Sequence, residues 1–78
     1  MVGTAMLADA NVIEYVVSKY GPFPKAFETH LIGSLMDRFA LSEADAAILV
    51  EDLKVRGVIE VVGRKFGTPL IRIKTAST

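Results

Sequence analysis

The apolar residues of this chain change their period at Gly57, and that switch decides what the chain can build. Before Gly57 they recur at spacings of three and four: Val12, Ile13, Val16, Val17 and Tyr20, then Leu31, Ile32, Leu35, Met36 and Phe39, then Leu49, Val50 and Leu53. Three and four residues bracket one helical turn, so each set forms a stripe along one helix face. After Gly57 the period falls to two. Ile59 and Val61 alternate with Glu60 and Val62, and Ile71 and Ile73 alternate with Leu70, Arg72 and Lys74. That is the pattern of strands, whose successive side chains face opposite ways. Three helices followed by a β-hairpin make a small α+β fold, and 78 residues suffice for one such domain.

Punctuation residues set the expected boundaries. Asp9 is placed to cap a first helix over 10–20, its carboxylate accepting from orphan amides of the first turn. Gly21-Pro22 ends that helix, with glycine taking a left-handed exit and proline forbidding continuation. The segment 23–27 reads in two ways: as a short first strand, or as the approach to a helix whose first residue is Pro24. Thr29 is a cap for a shorter version of that second helix. Gly33, inside it, points to close approach of another backbone. Ser42 caps a third helix over 43–56, with Asp45 three residues on in a weak capping box, and Gly57 stops it. Strands over 58–63 and 70–74 then flank a connection over 64–69, in which Gly67 supplies a positive φ and Phe66 either stacks or inserts against a ligand or, as tip aromatics more often do, folds back on the hairpin. Glu60 and Arg72 fall opposite each other on its outer face. Residues 1–8 read as a loose leader and 75–78 as a frayed tail.

Composition narrows the class. Hydrophobic residues make up 51% of the chain, ample for a packed core. There is no cysteine, hence no disulfide framework or thiolate metal site, which fits a cytoplasmic protein. The longest apolar run, 46–50, is far short of the roughly 20 residues a membrane span needs. Charge is zero overall but segregated. Eight acidic and three basic side chains precede Leu53, whereas six basic and one acidic follow from there, giving −5 and +5. A basic end of this kind suits an anionic partner, or neutralises the acidic end within or between subunits.

The stretch 41–74 carries a resemblance. Ser42 opens a helix, Leu53 lies four residues before Gly57, Val58-Ile59 begins a strand, and Thr68-Pro69-Leu70-Ile71-Arg72-Ile73 returns after a basic loop between Gly63 and Gly67. The order resembles the turn, recognition helix and wing of the winged helix-turn-helix domain family, including many transcription regulators. The resemblance implies a small winged helix that binds double-stranded DNA, with the exposed face of the third helix in the major groove. The matching positions here are Asp45, Ala47, Ile48, Glu51 and Asp52. Three of them are carboxylates, which phosphate repels, and none is of the Arg, Lys, Asn or Gln types that pair with purine edges.

Two surfaces follow from this reading. The basic one comprises Arg64 and Lys65 at the wing tip, with Arg72, Lys74, Lys54 and Arg56, and Ser42 at the turn before the third helix; its role is to follow phosphates. The other comprises Ala47, Ile48, Glu51 and Asp52, with Val62 and Leu70 on the outer side of the hairpin, and suits a protein partner or a second copy in a homodimer. No cofactor, metal site or small-molecule substrate is expected. His30 is the only histidine, and Glu51-Asp52 diverge by about 100° around a helix, so neither makes a catalytic pair. The chain reads as a binding module and not as an enzyme.

Overall fold

The computed structural model describes residues 8–74. Three helices, α1 (Ala10–Tyr20), α2 (Glu28–Phe39) and α3 (Glu43–Val55), combine with three strands, β1 (Ala26–Phe27), β2 (Ile59–Lys65) and β3 (Thr68–Ile73). The sheet is antiparallel in the order β1-β3-β2, so the last strand of the chain is the central one. The element order and sheet make this a small α+β fold in a winged-helix layout.

Asp9 Oδ1 accepts from the Val12 amide at 3.0 Å and starts α1 as its sequence implies. The exit differs from expectation. Gly21 stays right-handed, at φ −54°. Its glycine identity answers to space, since a Cβ there would lie 2.5 Å from the Val17 carbonyl oxygen. Of the two readings of 23–27, the strand is the one formed: Ala26 pairs with Ile71 and Phe27 with Leu70. α2 opens directly at Glu28, after Phe27, without a side-chain cap; Pro24 and Thr29 do not start it. Gly33 is exposed with no atom within 4 Å of a built Cβ, so no backbone approaches it and nothing in the structure explains the glycine.

A tight left-handed corner at Ala40, φ 55°, separates α2 from α3. Ser42 Oγ then accepts from the Asp45 amide at 3.1 Å, the only half of the capping box that forms among the described residues. At its far end α3 closes in a Schellman motif. Val58 N–H donates to the Leu53 carbonyl at 2.9 Å and Gly57 N–H to that of Lys54 at 3.0 Å, with Gly57 at φ 77°. The chain leaves in the direction of β2.

The core forms where α2 and α3 pack on each other and on the sheet. Leu31, Leu35, Leu49, Leu53, Ile59 and Ile71 are fully buried, with Val16 from α1. Each such aliphatic contributes about 1.5–3 kcal/mol relative to exposure. Ala8 belongs to this core, and its amide donates to Asp52 Oδ2 at 2.8 Å, so the leader is anchored at that residue. The rest of the expected leader, and the expected tail, lie outside the described residues.

The hairpin is longer and its turn shorter than its apolar pattern implies. Pairing continues through Arg64↔Pro69 and Lys65↔Thr68, leaving Phe66-Gly67 as a two-residue turn in place of a six-residue loop. A bulge interrupts the ladder: Val61 pairs with Ile71 but Gly63 with Leu70, leaving Val62 as the extra residue.

Candidate nucleic-acid interface

The hairpin tip is built by its turn. Phe66 at φ 55° and Gly67 at φ 77° place two consecutive left-handed residues between the strands, the geometry of tight turns that match strand twist. Arg64 Nη2 donates to the Gly67 carbonyl at 2.9 Å, which holds the guanidinium across the turn. Lys65 Nζ lies 5.5 Å from the Phe66 ring centroid. The ring does not fold back on the hairpin as expected; Phe66 is 87% exposed, because a two-residue turn leaves no strand surface beneath it. Among the described residues Arg64, Lys65 and Lys74 meet no carboxylate.

The remaining bases are neutralised within the chain. Lys54 lies 2.8 Å from Glu28 Oε1 and 2.9 Å from Glu51 Oε2. Its contact with Glu28 is an ion pair without directed hydrogen-bond geometry, and that oxygen has no other partner. Partial burial opposes the Lys54 charge, but the two carboxylates outweigh it and raise its pKa above the ordinary lysine value. Arg56 Nε donates to Asp52 Oδ2 at 2.7 Å, and Arg72 Nε to Glu60 Oε2 at 2.6 Å across the strands. The Ala8 amide first, and Arg56 second, hold the Asp52 carboxyl below its usual range. Ser42 Oγ is engaged as a helix cap. Uncompensated positive charge on this half of the molecule therefore concentrates on the hairpin, at Arg64 and Lys65 on its tip and Lys74 at the end of β3.

On α3, the positions expected to face a partner divide. Ile48 is 51% exposed and Glu51 is exposed, whereas Ala47 is half-buried and Asp52 is partly covered by Ala8 and Arg56. Val55, at the end of the helix, is 84% exposed. Val62 is exposed at the bulge, but Leu70 is not available to a partner, being 8% exposed. It stands in the central strand, opposite Phe27 of β1 and Gly63 of β2.

His30 proves to be a bonding partner. Its Nδ1 lies 2.7 Å from the hydroxyl of buried Tyr20, which also reaches Ser34 Oγ at 2.7 Å and joins α1 to α2. Among the described residues no cluster of His, Asp and Glu gathers to hold a metal, and no helix is long and apolar enough to cross a membrane. The basic wing residues are legible in the sequence, but not that internal pairing leaves only three of those six bases unpaired among the described residues. Of the two readings of Phe66, the exposed ring is the one formed, and its left-handed backbone is what the sequence does not show. No family model matches the chain, nor does any curated protein or solved structure.

Proposed function

We propose that this is a small cytoplasmic DNA-binding protein of winged-helix type, suited to transcriptional regulation, which contacts phosphates mainly through its wing. The observation that carries the reading is the uncompensated pair Arg64 and Lys65 on a projecting two-residue hairpin, while Lys54, Arg56 and Arg72 are ion-paired. Side chains that must neutralise phosphate are best left without internal carboxylates, since breaking a pair would oppose binding. The α3 face contributes little to base readout, because it offers Asp45, Ala47, Ile48, Glu51 and Asp52. The protein is a binding module and not an enzyme. Titration of a labelled duplex with wild type and with Arg64→Ala/Lys65→Ala tests this. The double variant should lose most of the affinity, and unchanged binding would sink the wing model.

A second reading has its own support. Ile48 and Val55 expose aliphatic surface on α3 beside Glu51, a face that suits self-association or a protein partner instead of DNA. Size-exclusion over a wide concentration range, comparing wild type with Ile48→Arg, tests the homodimer version. A monomer at all concentrations, indifferent to the substitution, removes it.

A further inference from the structure

The turn at the wing tip carries a residue its backbone disfavours. A left-handed conformation crowds Cβ against the following carbonyl, and tight hairpin turns accordingly favour Asn, Asp or Gly at both central positions. Gly67 meets that preference; Phe66, at φ 55°, does not. Among the described residues no hydrophobic contact compensates for it. The ring is 87% exposed, with the Lys65 ammonium beside it. A strained, uncovered aromatic next to the uncompensated Lys65, in a turn that Arg64 spans, is better explained by what it meets than by what it supports.

We infer that Phe66 is a base-stacking residue, and that the preferred ligand of the wing is DNA with an exposed base face: a mismatch, an extrahelical base or a strand junction. The inference rests on the nucleic-acid reading of Arg64 and Lys65. An intact duplex stacks its bases on each other and offers a ring no free face in its interior. An unpaired base, or a pair at a junction, offers its π-surface, and an aromatic side chain gains by covering it. Arg64, fixed across the turn by the Gly67 carbonyl, and Lys65, beside the ring, flank that position with the charge needed by the adjoining phosphates.

The test uses three labelled DNAs of equal length: a perfect duplex, the same duplex with one extrahelical 2-aminopurine, and the single strand. The proteins are wild type, Phe66→Ala, Phe66→Trp and Arg64→Ala/Lys65→Ala, each checked for native circular dichroism. Wild type should bind the interrupted duplex about fivefold or more tightly than the perfect one, the lower end of what stacking one base supports. It should also quench the 2-aminopurine fluorescence. Phe66→Ala should abolish preference and quenching, and Phe66→Trp should keep both. If perfect-duplex binding depends on Arg64 and Lys65 but wild type shows no preference, or Phe66→Ala retains it, the stacking role is overturned and the phosphate reading stands. If the double variant binds every DNA as wild type does, the nucleic-acid reading fails and takes the inference with it. Phe66-dependent binding to phosphatidylserine vesicles without any DNA preference would assign the ring to a lipid surface and likewise overturn the inference.

Discussion

The internal ion pairs make the salt dependence of DNA binding calculable. Each phosphate neutralised on duplex DNA contributes a slope of about −0.9 to log K against log salt. If all six bases of the C-terminal half engaged phosphates, the slope would be about −5.4, and affinity would fall about 2,000-fold between 50 and 200 mM salt. Lys54, Arg56 and Arg72 are committed to Glu28, Glu51, Asp52 and Glu60 at 2.6–2.9 Å. With Arg64 and Lys65 alone the expected slope is about −1.8, a fall of about 12-fold over the same range; adding Lys74 gives about −2.7 and about 40-fold. Fluorescence anisotropy with a short labelled duplex, repeated across that salt range at constant pH, measures the slope directly. Arg64→Ala should reduce its magnitude by about 0.9, whereas Arg56→Ala should leave it unchanged. A wild-type slope near −5, or equal effects of the two substitutions, would show that the ion pairs open on binding and would refute the reasoning.

Three further outcomes are expected. Phe66→Asn, which relieves the left-handed penalty of about 1–2 kcal/mol at least in part, should raise stability by roughly 0.5–1 kcal/mol and Tm by roughly 2–8 °C in thermal unfolding, even as stacking is lost. Tyr20→Phe removes the hydroxyl shared by His30 and Ser34, and at about 1 kcal/mol net per hydrogen bond it should cost roughly 1–2 kcal/mol in denaturant unfolding; Ser34→Ala should cost less in that background than alone. Asp52 has a folded pKa below its ordinary 3.8, so its contribution to stability is complete above 3.8 and is lost as the pH falls through the lower folded value. The Ala8 amide shift, followed by NMR, should titrate with a midpoint under 3.8.

Legibility followed the range of the interaction. α1 and α3 were readable because a helical stripe and a cap lie within a few residues of one another, as in Asp9 with Val12 and Ser42 with Asp45. The Glu60–Arg72 pair was readable because alternation aligns the inner halves of both strands over the core. Alternation of apolar residues fades at Arg64, Lys65, Thr68 and Pro69, none of which is buried, yet the backbone ladder continues; the loop is therefore shorter than the apolar pattern implies. That Leu70 is covered is not legible, because nothing in its own strand reports that β1, with Phe27 opposite it, lies along its other edge. The pairing of Lys54 with Glu28, and of Asp52 with Ala8, joins residues far apart in the chain, and those pairings decide which charges remain for a ligand.

The bulge at Val62 has a bearing on how copies of the molecule treat one another. β2 has a neighbour on one side only, so its outer edge presents unpaired backbone groups over 59–65, an invitation to edge-to-edge association. In a regular strand Glu60, Val62 and Arg64 would share a face. Two antiparallel copies could then align about Val62, each Glu60 meeting the other's Arg64, in a self-complementary zipper. The extra residue cancels that symmetry. Glu60 stands opposite Arg72 and Arg64 opposite Pro69, and those partners, three apart in β3, face opposite sides of the sheet. One inserted valine thus shifts the strand's charges out of phase with their own mirror and removes this register for edge-to-edge pairing of two copies.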